Sequence, residues 1–140
     1  MAGVRRKARM VALQALYEID CARHDPRQTL TRLLEESTLP PEGREFAEEL
    51  VIGVVAHREA IDAVIRRTAP LWPLAQIAAI DRNILRLAIY EILFDNKVPL
   101  RAAINEAVEL AKLFGSESSP RFVNGVLGTV STHARSSSSS

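Results

Sequence analysis

Apolar residues recur along most of this chain at spacings of three and four, the repeat of a helix with one buried face. Ala8, Val11, Ala12, Ala15, Leu16 and Ile19 predict a first helix from about Arg5 to Cys21. Asp25-Pro26-Arg27-Gln28 places a cap, a first-turn proline and a capping-box partner at the start of a second, ending near Ser37. Phe46, Leu50, Val54, Ile61 and Ile65 predict one long helix from Glu42 to Arg67. Pro70-Leu71-Trp72-Pro73 breaks the pattern, and a short turn at Leu74 to Ala78 follows. Ala79 to Phe94 is apolar nearly all round, as in the centre of a bundle. After a loop at 95–98, Pro99 opens a helix whose stripe is Ala103, Ala107, Leu110, Ala111 and Phe114, and Gly115 supplies its stop. Ser119 and Pro120 cap and start the last helix. No sustained period-two alternation and no Asn-Gly or Asp-Gly turn competes. The expectation is an all-α fold, a compact bundle of about six to seven helices. It forms a single domain over residues 1–135, with lobes of about 1–69 and 70–135, and a low-complexity serine tail at 136–140 that is disordered.

Composition adds little to that picture, because 47% hydrophobic and 25% charged residues are ordinary for a globular chain of 140 residues. The single Cys21 excludes an internal disulfide and suits a reducing, cytoplasmic setting. No apolar run approaches the ~20 residues of a membrane span, so no membrane partner is expected. The charge distribution is more telling than the net +1. Arg5, Arg6, Lys7 and Arg9 occur without an acid in the first sixteen residues, residues 17–62 are rich in acids, and the remainder is mildly basic. This asymmetry suggests a polyanion on one surface and a basic protein on another. Four cations at a helix N-terminus oppose the helix dipole, so the arm is expected to fray alone and to order on an anion.

Enzyme signatures are absent. There is no Gly-rich phosphate loop, no Gly-x-Ser-x-Gly elbow and no metal-ligand spacing among one Cys and three scattered His. No catalytic residue, metal or cofactor is expected. His57 is a boundary or surface histidine, and Glu109 with Lys112 is a surface pair. Trp72, between two prolines, is a plug for the junction, the alternative being an exposed stacking platform. Arg82 and Arg86 share a helix face and meet acids of neighbouring helices or a partner. Arg121 and the N–H groups of the last helix form an anion site. Phe122 lies in line with Val126 and Val130 as a core residue; the other reading is a ring that stacks an unpaired base.

The Arg-rich start with Ala12-Leu13-Gln14-Ala15-Leu16-Tyr17 resembles the NusB family of bacterial antitermination factors. So do Asp81-Arg82, Ile84-Leu85-Arg86-Leu87-Ala88 and Tyr90-Glu91. The long segments Ile104 to Lys112 (INEAVELAK) and Phe122 to Leu127 (FVNGVL) make the resemblance specific. It implies an all-helical fold of two packed helical subdomains. It implies binding of the single-stranded boxA element of nascent ribosomal RNA, a heterodimer with the ribosomal small-subunit protein NusE, and entry into an RNA polymerase antitermination complex. Carried over, the RNA-binding residues are Arg5, Arg6, Lys7 and Arg9 with Glu117, Ser118, Arg121 and Phe122. The NusE surface would use Asp81, with Arg82 and Arg86. Two positions depart from the family pattern: Ser118 stands where an acid is frequent, and Gly128 where Asp often follows FVNGVL.

Two other readings stay open. NusB-like domains also precede the catalytic part of an rRNA cytosine methyltransferase, although a chain ending at Ser140 leaves no room for one. A self-associating helical domain is the other, and the resemblance leaves a homodimer open as an alternative assembly.

Overall fold

The computed structural model describes the backbone of residues 2–139 and the side chains of residues 3–132. Within these limits it is all-helical and holds no strand. Seven α-helices occur in order: α1 Ala2–Ala22, α2 Pro26–Glu36, α3 Pro41–Ala56, α4 Arg58–Thr68, α5 Ala79–Ile89, α6 Leu100–Phe114 and α7 Ser119–Ser139. A 3-10 turn at Leu74–Gln76 precedes α5, and a π-helical turn at Tyr90–Asp95 extends it. The single helix expected from Glu42 to Arg67 is therefore two, interrupted at His57. The contacts divide the chain at that same point, into a unit ending at Ala56 and a unit starting at His57, well before the Pro70 break. The serine tail, expected to be disordered, is carried as backbone to Ser139 in α7; its side chains and Ser140 lie outside the described residues.

In the first unit, α1 packs on both α2 and α3. Asp25 caps α2 as the sequence predicts, its carboxylate accepting the Gln28 N–H at 3.0 Å. Ala8, Ala12, Ala15 and Ala47 are fully buried, and small residues of this kind let helices approach closely. Gly43 marks the tightest point, since a Cβ there would stand 2.9 Å from Val4 Cγ1. The basic arm is not a frayed extension but the first turns of α1. One reason is local: the guanidinium groups of Arg5 and Arg9 lie over the Phe46 ring of α3, at 5.3 and 5.2 Å from its centroid. Such contacts contribute about 0.5–1 kcal/mol each, comparable to the dipole penalty they oppose.

The second unit is built around α5, which touches α4, α6 and α7. Ile84, Leu85, Leu87, Ala88 and Ile89 are buried, as the all-round apolar pattern requires. Arg86 lies on this helix and is only 3% exposed. Its Nε and Nη2 donate to the two oxygens of Asp62 on α4 at 2.8 and 3.1 Å, and Nη1 donates to Asn83 at 3.3 Å. This two-point geometry fixes the rotation of α5 about its own axis.

Removing one member of a buried pair strands the other charge, at a typical cost of about 3–5 kcal/mol. Arg86→Ala is expected to lower the denaturant midpoint by a corresponding amount. The double variant Arg86→Met/Asp62→Leu is expected to recover much of the loss, and urea unfolding of all three chains checks both.

Candidate nucleic-acid interface

Two groups of residues carry the candidate chemistry, one in each unit. In the first unit Arg5, Arg6 and Lys7 are exposed along the start of α1. Arg9 does not join them. It is 4% exposed and packed against Phe46, so it works as a structural residue rather than a surface contact.

In the second unit a cleft of about 290 Å3 opens beside the start of α7. Its lining includes Trp72, Ile77, Asp81, Ser118, Arg121 and Phe122. Trp72 is not a buried plug: 54% of it is exposed, and its ring meets Phe122 edge-on with centroids 5.8 Å apart. Phe122 is half-buried. The buried stripe of α7 is Val123, Val126, Leu127 and Val130, so Phe122 stands beside the core rather than in it. The two rings leave an aromatic rim facing solvent, with the exposed cation of Arg121 next to it.

Local structure explains why the cleft has this shape. The Trp72 segment turns back through Trp72 N–H to Ala69 O at 3.0 Å and Gln76 N–H to Pro73 O at 2.8 Å. Arg82, half-buried on α5, donates from Nη1 to the carbonyls of Leu74 and Ile77 at 3.2 and 2.9 Å. It thereby fastens the 3-10 turn to the helix. On the opposite side, Ser119 is buried in the first turn of α7, one residue later than its expected capping position. Its Oγ accepts the Ser116 N–H at 2.9 Å, and its own N–H donates to Ser116 O at 3.1 Å. Gly115 is extended, with φ −91° and ψ −172°, so it does not end α6 through a left-handed turn. It is needed for space, because a Cβ there would lie 2.5 Å from Ser119 Oγ and 2.8 Å from Ala111 O.

Of the residues expected to meet a protein partner, Asp81 and Arg86 are buried and Arg82 is half-buried. Arg86 is consumed by Asp62, and Arg82 by backbone carbonyls. Asp81 is 7% exposed and lines the aromatic cleft. Glu117 and Ser118 are exposed in the loop, with Ser118 Oγ 3.3 Å from Ser116 Oγ. Sequence reasoning missed Ile77 as part of the site and gave Trp72 an exposed stacking role only as the alternative to a buried plug. The available signal was Trp72 itself, since a Trp between prolines cannot join a helical stripe. Among the described residues no cluster of His, Cys, Asp or Glu is arranged to hold a metal, and no helix is long and apolar enough to cross a membrane.

The model of the NusB family matches residues 6–132. The chain belongs to the NusB family. The transcription antitermination protein NusB of Roseiflexus sp. (strain RS-1) is 52% identical over 137 residues, 96% of each chain. The structure of T. maritima NusB is similar with a TM-score of 0.86 at 36% identity, covering 91% of this chain and 90% of that one. A crystal structure of antitermination factors NusB and NusE in complex with dsRNA is similar at a TM-score of 0.85 and 29% identity, covering 93% and 97%. The Roseiflexus relative is named a transcription antitermination protein, and this chain covers 96% of it. The family fold is thus present with its helices intact.

The Gly115–Ser119 joint gives a direct check. Gly115→Ala is expected to cost about 1–3 kcal/mol, the usual penalty for overpacking, because neither Ser119 nor the Ala111 carbonyl can retreat. Thermal unfolding against the parent chain measures it.

Proposed function

We propose that this chain is a non-enzymatic, cytoplasmic transcription antitermination factor. It binds the boxA element of nascent ribosomal RNA together with NusE and joins the RNA polymerase antitermination complex. Membership of the NusB family supports this reading, as does the similarity to a NusB that was crystallised with NusE and RNA. The observation in this chain that carries it is the exposed Trp72–Phe122 rim with Arg121 beside it. Aromatic faces accept unpaired bases and cations accept phosphates, a combination suited to a single strand whose bases can splay out. Within the first unit, the exposed Arg5, Arg6 and Lys7 on α1 are suited to phosphate contacts of their own. Ser118, placed where relatives often carry an acid, removes a charge that would repel phosphate. Glu117 keeps one at the loop's edge. The NusE surface is assigned to Asp81 with Arg82 and Arg86, of which the two arginines also bond within the second unit.

The test is RNA binding with and without NusE, using a boxA strand, a scrambled strand and a duplex. Selective, NusE-enhanced binding of the boxA strand is the expected result; equal affinity for all three would overturn the reading. Replacing Arg5, Arg6 and Lys7 with Ala is expected to reduce the log–log salt slope by roughly two, at ~0.7 per phosphate for single strands. Phe122→Ala is expected to weaken RNA binding by about 1–3 kcal/mol, the worth of one base stack. The melting temperature should fall little, since the ring stands outside the core. A titration series in KCl and a parallel melting curve separate the two effects.

A further inference from the structure

In the first unit, one half-buried ring carries two cations. The guanidinium groups of Arg5 and Arg9 both lie over Phe46, at 5.3 and 5.2 Å from its centroid. Arg9 is 4% exposed, and its contact by itself ties the start of α1 to α3. Arg5, four residues earlier, is exposed. Like charges at that spacing repel on a helix, and both stand at the end that the dipole makes positive. For the fold alone, a second guanidinium on the same ring gains little, because its contact is offset by the dipole and by Arg9.

We propose that Phe46 is a positioning residue for RNA binding: its ring holds the exposed guanidinium of Arg5 in place for a phosphate of the strand. This rests on the RNA-binding reading and adds to it a residue that acts through another. The use of a ring is what points to that role. Glu42 and Glu45 are exposed on the same helix as Phe46, yet among the described residues no carboxylate pairs with Arg5. A carboxylate would fix Arg5 as firmly. It would also occupy the N–H donors and cancel the charge that a phosphate needs. A ring face holds the cation and leaves both available.

The ring is itself held. Phe46 packs against the buried cluster of Ala8, Leu39 and Ala47. One turn earlier, α3 carries Gly43, and Val4 sits so close to it that a Cβ there would stand 2.9 Å from Val4 Cγ1. Val4 directly precedes Arg5. Gly43 thus sets where the backbone of Arg5 stands, and Phe46 sets where its tip stands. A long side chain fixed before binding loses less conformational freedom when it meets its ligand.

The test follows binding of a single-stranded boxA RNA to the full chain across a KCl series, at a temperature where circular dichroism shows each variant folded. Phe46→Leu removes the ring face and leaves every charge. It should weaken binding roughly two- to tenfold at each salt concentration, the worth of one long side chain left to order on binding, with the log–log slope unchanged. Arg5→Ala should weaken binding and also make the slope shallower by about 0.7. In the Arg5→Ala chain, Phe46→Leu should cost nothing further. Phe46→Tyr, which keeps a ring, should bind like the parent. Phe46→Met, flexible and apolar, takes the place of Phe46→Leu if that variant does not fold. A ring needed only for the fold would weaken binding equally with and without Arg5, and that result overturns the proposal. So does parent-like binding by the ring-free variants, or a loss in Phe46→Tyr as large as theirs. If the parent chain binds no boxA RNA with or without NusE, the RNA-binding reading fails and the proposal falls with it; the other three results leave that reading standing.

Discussion

The bidentate pair between Arg86 and Asp62 is the constraint on which the second unit depends. A helix that is apolar on nearly every side has no intrinsic preference for which face meets which neighbour. Leu85, Leu87, Ala88 and Ile89 are all buried, and none selects one rotation over another. A guanidinium held at two points by a carboxylate on α4 does select one, because turning α5 by a single residue would break both bonds. Burial makes the choice strict: an unpaired charge in that position would be penalised far more than a misplaced leucine. With α5 fixed, Arg82 emerges where it can reach the carbonyls of the 3-10 turn, and Asp81 emerges at the cleft. The polar exceptions on this helix therefore form a sequence of consequences rather than three separate features.

Much of the fold was legible in the sequence because its signals are local. Asp25 with Pro26 announces α2, and Pro99 announces α6, whatever else the chain does. The break at His57 was not legible. No Pro lies near it, Gly53 stands about one turn upstream inside α3, and the apolar spacing continues through the break, so only the tertiary structure shows two helices. Phe122 shows the limit of periodicity in another way. Positions 122, 126 and 130 share a spacing of four, which drifts about 40° per step around a helix of 3.6 residues per turn. The stripe that is actually buried, 123, 126, 127 and 130, uses threes and fours together and leaves Phe122 at its margin. Family membership was readable from the long helical segments that scaffold the site.

Charge was the hardest property to place. Arg9 and Arg86 look like surface cations in a list of basic residues. Both are buried, one against an aromatic ring contributed by α3 and the other against an acid on the preceding helix. Nothing in the spacing of Arg5, Arg6, Lys7 and Arg9 says that Phe46 will select Arg9 for burial and leave Arg6 and Lys7 exposed. The cleft was missed for the same reason. Trp72, Asp81 and Phe122 are distant in sequence, and only the return of the chain through two joints brings them to one place.

One of those joints has a further meaning. Ser116 and Ser119 clasp each other through side chain and main chain, and Gly115 leaves no volume unused behind them. The two ends of the loop are thereby held, while residues 117 and 118 project from it into solvent. A loop anchored in this manner separates position from chemistry. The residue at 118 can be exchanged without moving Phe122. Binding preference can then drift in small steps on a frame that does not have to be rebuilt each time.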